Sequence, residues 1–196
     1  MDGLRDLILH VSGEPTPPLL PTITSRRPAL EAVVGDVADE DVDAIVNSAN
    51  KDLAPGKGVN GAVHRGAGPE LMAHTIALGG CTVGEAKITQ GFGLSADWII
   101  HTVAPRWHDG TDGEPLLLGW CYQACLACAD EVAAESVAFP ALGAGARGFP
   151  PREAARIAVA AVRAASTLVR KVRFVCFDGP TLREFDSAIR EHAEDA

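Results

Sequence analysis

The sequence lacks a long hydrophobic run, and this absence argues against a transmembrane helix. No apolar segment approaches the roughly eighteen residues that a transmembrane helix needs. The first residues, MDGLRDLILHVSGEP, contain two acidic side chains near the start and too short an apolar stretch for a secretory signal. We therefore expect a cytoplasmic protein.

The sequence also lacks an excess of basic residues. It contains 17 lysines and arginines against 26 aspartates and glutamates, a formal net charge of −9. Broad nucleic-acid binding requires a basic face, so we do not expect it here. A site for one diphosphate stays open, because backbone amides at a helix N-terminus supply local positive potential.

Cysteine is scarce and odd in number, with five residues in 196. Cys121, Cys125 and Cys128 are spaced as one face of a helix. A zinc site would need a fourth ligand and usually a loop between ligand pairs, so packing against a sheet is the preferred interpretation. Disulfides are unfavourable in a reducing compartment. We predict no metal and no cofactor.

The chain divides into a proline-rich arm, residues 1–29, and one domain, residues 30–196. Five of the thirteen prolines lie in GEPTPPLLPTITSRRP, which suits neither a helix nor a central strand; a helical turn at 3–10 is a further expectation. From residue 30, short apolar runs that close on polar loops alternate with helical patterns. This alternation predicts an α/β three-layer domain with a largely parallel sheet.

Two glycine-rich loops, PGKGVNGAV and LGAGARGFPPREA, each follow a predicted strand and lead into a helix. In open α/β sheets ligands bind beyond the carboxyl ends of the strands, which places both loops on one rim. Their unpaired amides are suited to clasping a diphosphate from two sides. Neither loop has the spacing of a dinucleotide-binding fingerprint, and Lys57 is not followed by the Ser or Thr of a P-loop.

Two further residues on this rim have chemistry suited to a nucleotide base. Asp36 follows the first core strand and could accept a hydrogen bond from an exocyclic amine, or simply cap backbone amides. Phe177 ends the last strand and offers a flat face for a base, although an aromatic residue at a strand end more often belongs to the core.

These residues fall within a series of ordered motifs. They are GDV, VDAIVNSAN, GxGVxGAVHRGAG, PEL, GGCTVGEAKIT, WIIHTVAP, AFPALGAG, GFP and FVCFD. From about residue 30 to residue 190 the chain resembles the macrodomains, specifically their MacroD-like branch. The resemblance implies a three-layer α/β/α fold with a mixed six-stranded sheet and a cleft for ADP-ribose.

The resemblance also implies roles for individual residues. Asp36 and Val37 would bind adenine, and Phe177 would flank it. Asn50 would hold the distal ribose, with Asn47 at the same end. The diphosphate would lie between two loops, and the residues implied for these are Gly56, Gly58, Val59, Gly143, Ala144, Gly145, Ala146, Arg147 and Phe149. The implied activity is removal of mono-ADP-ribose from acidic side chains of modified proteins, with O-acetyl-ADP-ribose deacetylation as a related reaction.

Two departures from the family pattern affect the chemistry. The catalytic loop of this branch reads G-G-G-V-D-G, whereas here Asn60 replaces the aspartate. The second loop usually has a tyrosine where this chain has Arg147. An amide orients a water but does not take its proton at neutral pH, and a positioned general base is worth roughly 10² to 10⁴ in rate.

Three hypotheses for Asn60 stay open. A substrate phosphate oxygen could take the proton while Asn60 positions the water, which is the hypothesis we prefer. The site could instead bind ADP-ribose without efficient hydrolysis, as a reader of modified proteins. Alternatively Lys57 or Arg147 could supply charge, although Lys57 is better interpreted as a solvated loop residue. Besides ester hydrolysis and the reader function, hydrolysis of ADP-ribose 1″-phosphate is a third candidate function for the whole protein. His64 and His101 are interpreted as packing residues.

Overall fold

Six strands form one mixed sheet in the computed structural model, which describes residues 27–194. The strands are β1 (Ala29–Val34), β2 (Ala44–Ser48), β3 (Ala86–Gln90), β4 (Trp98–Thr102), β5 (Ser136–Pro140) and β6 (Lys171–Cys176). The helices are α1 (Gly58–Ala67), α2 (Pro69–Ala77), α3 (Glu114–Glu131), α4 (Pro151–Ala164) and α5 (Gly179–Glu194), with a 3-10 turn at Val37–Asp39.

The strand order is β1-β6-β5-β2-β4-β3, and only β3 runs antiparallel to its neighbour. Five parallel strands therefore end at the same edge of the sheet. Their following loops begin at Gly35, Ala49, Val103, Ala141 and Phe177. This arrangement gathers the loops that position the candidate site.

Successive side chains along each strand point to opposite faces of the sheet, and each face packs against a different set of helices. Val46, Phe139 and Phe174 pack with α3, α4 and α5 in one core cluster. Ile45 and Val175 face the opposite way, into the cluster formed with α1 and α2. Since successive strand residues point to opposite faces, continuous apolar strands bury both sides of the sheet.

The structure confirms the predicted three-layer α/β/α fold with its mixed six-stranded sheet. The long helix α3 begins earlier than its apolar pattern indicates, at Glu114, because that carboxylate accepts backbone N–H groups of the preceding loop. Within it, Cys121 and Cys125 are fully buried and Cys128 is half-buried.

The proline-rich arm, including the turn expected at 3–10, lies outside the described residues except at its end. Across residues 27–194 no helix is both long and apolar enough to span a bilayer.

Candidate functional site

A cleft of about 380 Å³ opens at the carboxyl edge of the sheet. Its walls come from the loops after β1, β5 and β6 and from the first turns of α1. Six residues predicted for the site line it: Asp36, Val37, Gly58, Val59, Gly145 and Phe177. The strand ends therefore bring together residues that are up to 141 positions apart in the chain.

The first wall of the cleft is the loop that starts α1. Gly58 adopts a positive φ of 59°, which favours glycine, and no side chain caps the helix. Among the described residues, the amides of Gly58, Val59 and Asn60 find no acceptor. Three free amides at a helix N-terminus create local positive potential, which is suited to an anion.

The second wall is the loop after β5. Two turns shape it, with Gly148 N donating to Gly145 O at 3.0 Å and Phe149 N donating to Gly143 O at 3.0 Å. The amides of residues 145–147 have no acceptor in the part of the chain that the structure describes. This loop therefore presents a second group of donors.

Phe149, predicted as a ligand contact, lies beneath the second loop rather than in the cleft. It is 2% exposed, and its ring centroid is 4.8 Å from that of Trp107. The Trp107 amide in turn donates to Arg147 O at 2.8 Å. In this structure Phe149 therefore supports the loop from the core.

Asp36 and Phe177 both line the cleft. Asp36 Oδ1 accepts the amide of Ala38 at 3.0 Å, so one oxygen caps the 3-10 turn. The other oxygen remains available, because the side chain is exposed. Phe177 is 62% exposed, unlike the buried core phenylalanines. Val37, which lines the same cleft, is buried. An acid and an open aromatic face are suited to a base.

Three asparagines lie outside the lining of the cleft itself, and two of them, Asn47 and Asn60, directly adjoin the lining residues Ser48 and Val59. Asn50 and Ala54 exchange two hydrogen bonds, Nδ2 to O at 2.8 Å and N to Oδ1 at 3.0 Å. Asn60 Nδ2 donates to the same Ala54 oxygen at 2.8 Å, and its Oδ1 accepts from Asn47 Nδ2 at 2.9 Å. Asn60 is 5% exposed, so both ends of its amide are already bonded within the protein.

The comparisons with known proteins agree with this geometry. The chain matches the model of the Macro domain family over residues 46–158. It is also 44% identical over 172 residues to a macro domain-containing protein of Ralstonia nicotianae, in an alignment that covers 88% of this chain and 98% of that relative. The chain belongs to the macrodomain family.

Two further similarities bear on ligands. The macrodomain of Oceanobacillus iheyensis, solved with ADP, has a TM-score of 0.82 and 33% identity, covering 88% of this chain and 95% of that one. A mutant of it was solved with ADPR. The O-acetyl-ADP-ribose deacetylase 1 of Pantoea vagans is 40% identical over 156 residues, 76% of this chain and 91% of the relative.

The two cationic side chains predicted for the macrodomain's chemistry differ in environment. Arg147 is half-buried, and its Nη2 donates to Ala49 O at 3.4 Å, which ties the second loop to the loop after β2. Lys57 is exposed and directly precedes α1. Arg147 therefore bridges the two loops near Asn50, whereas Lys57 lies at the surface.

Sequence reasoning missed Arg65, which lines the cleft together with Ser48, Ala62 and Pro140. The Arg65 side chain is exposed and has no ion-pair partner within residues 27–194. Positions 58, 62 and 65 have the spacing of one helix face. With Gly58 at the start of a helix, this spacing predicts that Arg65 faces the same cleft.

The predicted packing histidines are both buried. Burial lowers the pKa of His64. The pKa of His101 is lowered to about 3, mainly by burial and to a smaller extent by the nearby His64. Both imidazoles are therefore neutral at neutral pH. His101 contacts Asn47 and Thr89 through its two ring nitrogens, whereas His64 Nε2 is buried without a partner among the described residues. Neither imidazole supplies a cation for a diphosphate.

Proposed function

We propose that this macrodomain binds ADP-ribose in the cleft between its two glycine-rich loops. The main support is the pair of facing loops, each with backbone amides that have no acceptor in the described structure. A diphosphate between them would have donors on both sides. Asp36 and Phe177 would receive adenine at one end, and Asn50 would receive the distal ribose at the other.

The combination of groups in the cleft supports ADP-ribose over a simple anion. Gly58, Val59 and Gly145 line the same cleft as Asp36 and Phe177. Inorganic phosphate would use only the glycine loops. The solved relative with ADPR is consistent with a ligand of this length.

We further propose that the protein hydrolyses esters between ADP-ribose and acidic protein side chains, with O-acetyl-ADP-ribose as a related substrate. Water would add its oxygen to the anomeric carbon as the bond to the carboxylate oxygen breaks. Its proton would pass to a phosphate oxygen of the substrate. The named deacetylase among the relatives supports a hydrolytic activity.

Arg147 is the residue best suited to assist the leaving carboxylate. Its guanidinium extends to Ala49, next to Asn50, and so lies near the proposed distal ribose. A fixed cation stabilises negative charge that develops as the ester bond breaks. Asn60 would contribute by fixing the loop, since its amide bonds both Asn47 and Ala54.

One observation favours an alternative function as a reader of mono-ADP-ribosylated proteins. Among the described residues that line the cleft, Asp36 alone has a carboxylate, and in the proposed mode of binding it would face adenine. If the substrate phosphate does not accept the proton, water stays unactivated. The protein would then bind modified partners without releasing ADP-ribose.

Calorimetric titration tests the binding proposal. ADP-ribose, ADP, AMP and inorganic phosphate would each be titrated into the purified protein. We expect ADP-ribose to bind more tightly than ADP, and phosphate to bind weakly. Equal affinity for ADP and ADP-ribose would remove the distal-ribose assignment, and no affinity for either would remove the proposal.

A further inference from the structure

A row of buried polar side chains runs from α1 across the strands β2, β4 and β3 of the sheet. It joins Asn60 of α1, Asn47 of β2, His101 of β4 and Thr89 of β3. All four are at most 8% exposed. Asn47 and His101 are direct partners in the pairing of β2 with β4, so their side chains share a face. We call this set the polar row.

The direction of the hydrogen bonds is fixed at the Ala54 end of the row. A carbonyl oxygen only accepts, so Asn60 Nδ2 must donate to Ala54 O, 2.8 Å away. Asn60 Oδ1 then faces Asn47, and it accepts from Asn47 Nδ2 at 2.9 Å. Turning the Asn60 amide over would place two oxygens against each other at Ala54.

The direction is also fixed at the other end. Thr89 Oγ1 donates its single hydrogen to Gln90 O at 3.2 Å, so it accepts from His101 Nε2 at 2.9 Å. His101 Nδ1 therefore has no hydrogen and accepts from Asn47 Nδ2 at 3.1 Å. The Asn47 amide nitrogen uses both of its hydrogens, one toward each neighbour.

We propose that His101 is a positioning residue for the distal end of the cleft, and that it acts through Asn47 and Asn60. Its acceptor nitrogen fixes the Asn47 amide, which fixes the Asn60 amide. Asn60 then binds the Ala54 carbonyl that Asn50 also binds. The effect on a ligand bound at Asn50 rests on the proposed function. The directions of the hydrogen bonds within the polar row do not depend on it.

This role explains why an amide is suited to position 60 in this chain. A carboxylate there would still accept from Asn47, but its second oxygen would lie against Ala54 O, where Asn60 now donates. Two acceptors in a buried site repel each other. The protonated form of His101 is excluded in the same way, because Nδ1–H would face the Asn47 amide hydrogens.

The imidazole ¹⁵N spectrum of the whole protein tests the row without any ligand. We expect His101 to be neutral with its proton on Nε2, and to show no titration between about pH 5 and pH 8, where an ordinary histidine titrates. A proton on Nδ1, or a titration midpoint in that range, would overturn the proposal.

Thr89→Val tests whether the far end of the row acts on Asn60. It removes the hydroxyl that accepts from His101, and Thr75→Val is its matched control. Thr75 is also buried, but its hydroxyl donates to Met72 O in α2, away from the row. We expect the Asn60 side-chain amide signals to shift in Thr89→Val only. Shifts of equal size in both variants would overturn the proposal.

The same variants test the effect on ligand. We expect Thr89→Val to weaken ADP-ribose binding by about threefold to tenfold, the usual effect of one hydrogen bond. In an Asn60→Ala background, Thr89→Val should have no further effect. An undiminished effect in that background would overturn the route through Asn60. Should ADP-ribose not bind at all, the proposed function fails, while the imidazole and amide signals still decide the order of the row.

Discussion

Gly56→Ala should damage the site through one specific contact. A Cβ at position 56 would lie 2.7 Å from Asn60 Nδ2 and 3.6 Å from Asn60 Cγ. The backbone itself accepts alanine, because Gly56 has no positive φ. Asn60 is 5% exposed, and its amide is held by Asn47 and Ala54. We expect the new methyl group to displace this amide and to weaken both hydrogen bonds.

The size of the effect follows from those two hydrogen bonds. Each contributes about 0.5 to 1.5 kcal/mol to stability, and buried polar groups left unpaired cost about 1 to 3 kcal/mol. We expect the free energy of unfolding, measured in urea, to fall by about 2 kcal/mol. Calorimetry should show ADP-ribose affinity falling by at least about tenfold, equivalent to about 1.4 kcal/mol.

Two further variants decide whether Asn60 is the cause. In Gly119→Ala, the control in α3, the nearest atom to the new Cβ is Ile157 Cγ2 at 3.9 Å, so stability should hold or rise by about 0.5 to 1 kcal/mol. In an Asn60→Ala background the amide is gone, and Gly56→Ala should cost no further stability. A Gly56→Ala protein as stable as wild type, or an equal loss in both backgrounds, would refute this reasoning.

Three other predictions concern single side chains. Asp36→Ala should weaken ADP-ribose binding in calorimetry by about tenfold, as expected for loss of a charged acceptor. Arg65→Gln should weaken it about threefold at low salt and less at high salt, because exposed charges are screened. Glu114→Gln should lower the free energy of unfolding at pH 7. The pKa of Glu114 is lowered from 4.5 to about 2 by its own backbone N–H and those of His108, Gly110 and Asp112. Its stabilisation is therefore full above pH 4.5 and is lost as the pH falls through about 2.

Each of these three predictions can be contradicted by a specific result. Unchanged ADP-ribose affinity in Asp36→Ala would remove the adenine assignment. A salt-independent effect of Arg65→Gln would indicate a packing role in place of a charge role. Urea unfolding of Glu114→Gln and wild type at pH 7, 4 and 2.5 should show a difference that shrinks with acidity; a constant difference would show that the carboxylate charge is not responsible.

Local patterns were sufficient to predict the elements and the rim of the site. The short apolar runs and the glycine-rich loops predict alternating strands and helices. The carboxyl-edge rule then placed Asp36, Gly58, Gly145 and Phe177 together, and they line one cleft. Each of these inferences uses only neighbours in sequence or a general rule of sheet topology.

The polar row could not be predicted in this way. Its bonds depend on the register of β2 against β4, which aligns Asn47 with His101, and no sequence pattern specifies that register. The position of Phe149 has a similar cause. Its motif indicates a loop residue near the ligand, whereas packing against Trp107 places its ring in the core. Long-range packing decided both outcomes.

The most direct test of the proposed enzyme is a time course of ADP-ribose release from a glutamate-linked mono-ADP-ribosylated protein. Wild type and Asn60→Asp would be compared at equal concentration, with substrate in excess. We predict many turnovers by wild type, and no faster release by Asn60→Asp, because the amide at position 60 positions the loop and is not a weakened base. Release by the aspartate variant alone would contradict this, and would show that the cleft binds ADP-ribose but lacks the group that activates water.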